Sequence, residues 1–129
     1  MRNFTTQMAA ARSGIITEEM KAVAAKEYRT EEEIRDLVAR GQVAICANKL
    51  HKCLDPNGIG SMLRTKINVN LGVSRDCKDY DIEMKKVMAA VDMGAEAIMD
   101  LSSHGDTQPF RRKLTAECPA MIGTVPVYD

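Results

Sequence analysis

The chain has 129 residues, of which 45% are apolar, 28% charged and 4% aromatic, with no tryptophan; this is the material of one small α or α/β domain. Eighteen basic side chains balance eighteen acidic ones, so the positive surplus needed to hold nucleic acid or an anionic membrane by charge alone is missing. No apolar run nears the ~20 residues of a bilayer span, and Met1-Arg2-Asn3-Phe4-Thr5-Thr6-Gln7 has no apolar leader core, so a cytoplasmic protein is expected, without membrane or nucleic-acid partners.

Residues 1–41 read as a helical lead-in. Thr17 can cap a helix over 18–27, with Glu18 and Glu19 at the positive end of its dipole and Met20, Val23 and Ala24 as one apolar stripe. Thr30-Glu31-Glu32-Glu33 is a capping box, followed by the apolar face Ile34, Leu37 and Val38, with Gly41 as the stop. Residues 42–63 form a connection. Its apolar run Val43-Ala44-Ile45-Cys46-Ala47 suits a buried strand, and Asp55-Pro56-Asn57-Gly58 marks a turn.

Residues 64–129 alternate strand and helix. Strands are predicted over 64–71, 97–101 and 121–128. A helix over 81–92, stopped by Gly94, carries Met84, Val87, Met88 and Val91 at helical spacing. A shorter helix opens at Pro109, lines up Phe110, Leu114 and Cys118, and ends before Pro119. Lys85-Lys86 and Arg111-Arg112-Lys113 read as solvated helix faces. Tandem βα units with apolar strands imply a parallel sheet covered by helices. The predicted fold class is α/β: the first three strands of a (β/α)8 barrel behind a helical lead-in. A closed barrel needs roughly 200–250 residues or more, so the sequence reads as the front portion of an incomplete barrel.

In parallel α/β folds, chemistry gathers at the carboxyl ends of strands. That rule points to Asn68 and Asn70, to Asp100 and Ser102, and to Tyr128. Asn70, Met99 and Tyr128 are separated by 29 residues each, about the length of one βα unit, so one position is expected to recur near the end of each strand. Asn68 and Asn70 share a face by strand alternation. The loop Ser102-Ser103-His104-Gly105 suits either anion binding or a plain connection. His51 and His104 are too few for a three-histidine metal site and read as hydrogen-bonding loop residues. Cys46, Cys53, Cys77 and Cys118 lie 7, 24 and 41 residues apart, with no Cys-x-x-Cys pair, and are expected to be free thiols rather than metal ligands.

Several stretches together are similar to one known family. Thr6-Gln7-Met8, Ala11-Arg12-Ser13-Gly14-Ile15-Ile16-Thr17-Glu18-Glu19-Met20, Lys66-Ile67-Asn68-Val69-Asn70-Leu71-Gly72, Met99-Asp100-Leu101-Ser102 and Gly123-Thr124-Val125-Pro126-Val127-Tyr128 resemble the phosphomethylpyrimidine synthases, radical S-adenosylmethionine enzymes of thiamine biosynthesis. The resemblance runs along nearly the whole chain. It implies a lyase that converts 5-aminoimidazole ribotide to hydroxymethylpyrimidine phosphate, with S-adenosylmethionine, a 4Fe–4S cluster and zinc, in a homodimer. It also implies substrate contact for Asn70, Met99 and Tyr128, with Asn68, Asp100 and Ser102 as their supporting neighbours; no catalytic residue is assigned. Cys46 departs from the family's usual Ile-Pro-Ala-Asn. The family's Cys-x-x-Cys-x-x-x-x-Cys cluster motif and metal-binding histidines belong downstream of Tyr128, so this chain is expected to carry no metal ligands and to be inactive alone. Two alternatives stay open: the related 5-hydroxybenzimidazole synthase, and a non-enzymatic half-barrel binding protein.

Overall fold

A computed structural model describes residues 4–128; the first three positions of the segment considered as a leader, and Asp129, lie outside them. The described residues of Met1–Ala47 and Pro56–Thr65 gather into one compact unit, and those of Asn48–Asp55 and Lys66–Asp129 into a second.

The first unit is built on side-chain caps. Thr6 opens α1 (Gln7–Arg12), its Oγ1 accepting the Ala9 N–H at 3.0 Å. Thr17 opens α2 (Glu18–Glu27): its Oγ1 accepts the Met20 N–H at 3.2 Å and donates to Gln7 Oε1 at 2.7 Å. The capping box before α3 (Glu31–Ala39) forms in full, Thr30 Oγ1 accepting from Glu33 N–H and Glu33 Oε2 from Thr30 N–H. Each such cap satisfies helix N–H groups that otherwise have no partner. The stripes Met20, Val23, Ala24 and Ile34, Leu37, Val38 meet in one core with Ala10, Ala11, Val43 and Ile45. Burying such side chains stabilises the unit by about 1.5–3 kcal/mol for each large one.

β1 is shorter than the apolar run suggests and differently placed. It spans Val43–Ile45, buries alternate residues, and pairs antiparallel with β2 (Gly58–Gly60). Ala44 and Cys46 are exposed, so this is a half-buried ribbon rather than a buried strand. Nothing in Gly-Ile-Gly has the alternation of a strand; the segment pairs because its glycines let it lie close. A Cβ on Gly58 would sit 2.8 Å from Val23 Cγ1.

The second unit holds a three-stranded parallel sheet in the order β3 (Asn68–Leu71), β4 (Ala97–Asp100), β5 (Met121–Thr124). Between them run α4 (Tyr80–Asp92) and α5 (Gln108–Glu117), with Pro109 in the first turn of α5 as expected. The α4 cap is Asp79, whose Oδ1 accepts from both Asp81 and Ile82 N–H. Val69, Ile98 and Ile122 form one register row against Met84, Val87, Ala90, Phe110, Leu114 and Cys118. Met88, expected in the stripe, is exposed, and Ala90 is buried instead.

All three parallel strands are shorter than predicted, the second by a single residue. The first begins at Asn68 rather than 64: Arg64 N–H is taken by Glu27 Oε2 at 2.7 Å, and Ile67 N–H by Glu96 Oε2 at 2.8 Å. The third ends at Thr124. Pro126 offers no N–H and starts a 3-10 turn, Pro126–Tyr128, closed by Tyr128 N–H to Val125 C=O at 3.0 Å. The architecture is mixed α/β with two small open sheets, and the described strands close no barrel. No helix among the described residues is long and apolar enough to cross a membrane.

Candidate functional site

Strand alternation divides the parallel sheet into two faces. Val69 and Leu71 face the helices with their register partners; Asn68 and Asn70 lie on the opposite face. On that second face Asn70 is paired in register with Met99, and Met99 with Gly123. Asn68 Nδ2 donates to Asn70 Oδ1 at 3.1 Å. This fixes the Asn70 amide orientation and leaves its own Nδ2 donors available. Met99 lies over Gly123: a Cβ there would come within 2.8 Å of Met99 Cε and 2.9 Å of Sδ. Glycine is therefore what lets the thioether lie flat across the sheet. The result is an exposed amide beside a half-buried, polarisable thioether, a surface suited to the edge and face of a small heterocycle.

Tyr128 does not complete this row. The recurrence in sequence continues at Gly123, the register partner of Met99, whereas Tyr128 is in the 3-10 turn beyond β5 and half-exposed. The structure thus brings together Asn68, Asn70 and Met99, and places Tyr128 on the turn that follows β5. The correction follows from the shortened strand: after Thr124 the period of two is broken.

Asp100 and Ser102, predicted beside the site, are fully buried, and Asp100 belongs to the helix-facing side with its partner Leu71. Asp100 Oδ1 accepts the Ser102 N–H at 3.0 Å, and Oδ2 accepts Arg111 Nε–H at 2.9 Å. Arg111 is therefore not the solvated residue its sequence cluster suggests; its side chain is 20% exposed and joined to a buried carboxylate. Ser102 Oγ accepts the Val73 N–H at 3.1 Å. Tyr80 stacks on Phe110 at 5.0 Å and donates to the Asp106 carbonyl at 3.0 Å. Burial first, then the Asp100 and Asp106 charges, raise its pKa, so it remains a neutral donor. These contacts brace the loops after β3 and β4 from beneath. Neither role is visible in the sequence: Arg111 sits in a basic cluster that reads as solvated, and a lone Tyr at a helix start carries no periodic signal.

A second brace holds the turn between α5 and β5. His51 is buried and its Nε2–H donates to the Cys118 carbonyl at 2.6 Å, while Cys53 Sγ donates to the same oxygen at 3.2 Å and Asp55 N–H to the Pro119 carbonyl at 2.8 Å. These groups satisfy carbonyls at the carboxyl end of α5 that the helix itself cannot. The cysteines are unbridged: Cys46 and Cys77 are exposed, Cys53 is half-buried and Cys118 is buried, where burial raises its thiol pKa. Titration with an aromatic disulfide near pH 8 is expected to show two fast thiols, one slower, and a fourth that reacts only on unfolding. Four equally fast thiols would contradict the packing around Cys118.

Among the described residues, no group of three or more His, Cys, Asp or Glu side chains could hold a metal ion. The thiols do not fit an iron–sulfur cluster, and no zinc set exists there. What the exposed sheet face offers is the Asn70 amide beside the Met99 thioether.

Comparison with known proteins gives this geometry a setting. Residues 6–129 match the model of the Radical SAM ThiC family. The chain is 61% identical over 127 residues to the phosphomethylpyrimidine synthase of Clostridioides difficile (strain 630), covering 98% of this chain and 29% of that protein. Proteins of the same name from Clostridium botulinum (strain Hall) and Clostridium kluyveri (strain NBRC 12016) are 59% and 58% identical over the same length. The chain spans less than one third of the length of these relatives, 29% in each case.

Proposed function

This chain belongs to the Radical SAM ThiC family, and we propose that it forms part of the substrate wall of a phosphomethylpyrimidine synthase. In this reading the three parallel strands are the first of a (β/α)8 barrel, and the face bearing Asn70 and Met99 is its interior. The whole protein takes 5-aminoimidazole ribotide to the pyrimidine phosphate of thiamine, as a cytoplasmic lyase that works as a homodimer. The four unbridged thiols suit a reducing compartment. Radical chemistry of this class requires S-adenosylmethionine and an iron–sulfur cluster; the cluster and any zinc would be held by residues outside the described ones, and no step is assigned to them.

The single observation that carries the reading is the register pair Asn70–Met99 on the sheet face opposite the one that packs on α4 and α5. Within it, the Asn70 Nδ2 donors, pre-oriented by Asn68, bind an acceptor on the imidazole or ribose. The Met99 thioether packs on the flat heterocycle, and the Tyr128 phenol, half-exposed on its turn, swings in to stack or donate. Asn68 is the positioning neighbour in this scheme.

The test is kinetic. In a full-length protein carrying this chain, Asn70→Ala is expected to lower kcat/KM for 5-aminoimidazole ribotide by about 10- to 100-fold, the loss of one or two substrate hydrogen bonds. Melting should be nearly unchanged, because the residue is exposed. Mass spectrometry of the product checks the reaction itself: a hydroxybenzimidazole in place of the pyrimidine phosphate would overturn the assignment, as would wild-type kinetics for Asn70→Ala.

A further inference from the structure

Glu83 is a charged side chain with no accessible surface, on α4, directly beneath the turn after β3. Its Oε2 accepts the Gly72 N–H at 2.9 Å, and its Oε1 receives Lys86 Nζ at 2.6 Å. Lys86 itself stays 53% exposed, so the carboxylate bears the burial. Enclosing a carboxylate costs several kcal/mol, and an apolar side chain of similar volume is often as stable or more so. Stability alone therefore does not account for a glutamate at this position.

Its partners account for it. Gly72 adopts φ +141°, and a Cβ there would lie 2.5 Å from Ser102 N and 2.8 Å from the Leu101 carbonyl carbon. Two backbones are thus pressed together just beyond the strand ends. Leu101 N–H donates to the Leu71 carbonyl at 2.7 Å, and Ser103 N–H to that of Val73 at 3.0 Å. Val73 N–H goes to Ser102 Oγ. The ladder between β3 and β4 is carried past their ends, and the Gly72 N–H, pointing toward α4, is held by Glu83. Asn70 lies two residues before this junction. Rotating the peptide at Gly72 twists the end of β3 and with it the plane in which the Asn70 amide is presented.

We infer that Glu83 is a positioning residue: by anchoring the Gly72 amide it sets the angle at which Asn70 meets the substrate. The inference rests on the reading of Asn70 as a substrate contact. It concerns a residue that touches no substrate and acts through the backbone alone.

The experiment uses a full-length protein carrying this chain, with Glu83→Leu, which removes the carboxylate at similar volume, and Glu83→Gln, which keeps an acceptor for Gly72. Glu83→Leu is expected to raise KM for 5-aminoimidazole ribotide about tenfold with a smaller change in kcat, to speed amide exchange at Gly72, and to shift the Asn70 side-chain amide NMR signals. Glu83→Gln should restore KM to within about threefold. A merely structural role would lower the melting temperature of both variants and leave KM untouched. Unchanged Asn70 signals in folded Glu83→Leu overturn the inference, as does a KM equal to wild type while Asn70→Ala is impaired. If Asn70→Ala has wild-type kinetics yet Glu83→Leu still moves the Asn70 signals, the substrate reading fails and the mechanical coupling stands. Should Glu83→Leu fail to fold, Glu83→Gln decides by the same signals: its weaker, neutral acceptor is expected to speed Gly72 amide exchange and move the Asn70 signals part of the way, and wild-type exchange with wild-type Asn70 signals overturns the inference.

Discussion

Asp100→Ala is expected to destabilise the parallel-sheet unit by about 3–5 kcal/mol, the usual cost of removing one member of a buried ion pair. The carboxylate is fully buried and serves two donors at once, Arg111 Nε–H at 2.9 Å and Ser102 N–H at 3.0 Å. The first bond is charge-assisted and sits under a side chain only 20% exposed, so solvent screens it weakly. The second supports the residue whose hydroxyl accepts from Val73 N–H. Removing the carboxylate leaves a buried backbone donor without its acceptor and takes the counter-charge from a guanidinium that water reaches poorly. Asp100→Asn keeps an oxygen for Ser102 and should cost less, so the difference between the two variants measures the charge. Urea unfolding of the full chain, followed by circular dichroism, gives both numbers. A loss below about 1 kcal/mol for Asp100→Ala, the range of an exposed pair, would show that the interaction is solvated in solution.

The second large effect is expected at Gly72. The positive φ alone costs an alanine ~1 kcal/mol, and the atoms its Cβ meets, Ser102 N and the Leu101 carbonyl carbon, are backbone. They cannot rotate aside. Forcing them apart adds the ~1–3 kcal/mol of overpacking, so Gly72→Ala should lose about 2–4 kcal/mol in all. It should also break the Val73–Ser102 bond, seen as faster exchange of the Val73 amide. Two glycines calibrate the result. At Gly94, φ is +92° with nothing within 4 Å, so alanine there reports conformational strain by itself. At Gly123 the obstacle is the far end of the Met99 side chain, which can move. Gly123→Ala should therefore be mild for stability while displacing the thioether. If Gly72→Ala costs no more than Gly94→Ala, the close approach of the two loops is wrong.

Much of this architecture is readable from the letters wherever a single local rule governs. Thr17 and the Thr30–Glu33 pair announce helix starts because their hydroxyls and carboxylate have nearby N–H groups to serve. Phe110, Leu114 and Cys118 fall on one side because helical spacing leaves no alternative. Features fixed by partners far away in sequence are not legible in this way. Glycine-rich β2 pairs only because β1 is there to receive it. β3 starts late because side chains of Glu27 and Glu96 take the preceding N–H groups. Tyr128 leaves the row because the strand stops at Thr124, two residues short of Pro126; the proline is the visible sign of that break.

The site is half legible. Asn70 and Met99 share a row as the 29-residue interval suggests; the polar frame under them depends on contacts that no local pattern announces. Glu83 does have a sequence signature. It lies four and seven residues ahead of Val87 and Ala90, on the stripe that faces the sheet, and three ahead of a lysine that can reach it. A charged letter on an apolar face is the clue.

The interleaving of the two units has a practical corollary. Because Asn48–Asp55 belongs with Lys66–Asp129, and Pro56–Thr65 with Met1–Ala47, no one scission yields two whole pieces. Severing after Thr65 keeps the helical body entire but strips its neighbour of His51, Cys53 and Asp55, the clasp on the Cys118–Pro119 corner. A protease nick or a split-gene boundary there would part the rest of the second unit from the two side chains and one N–H group that hold its α5–β5 corner.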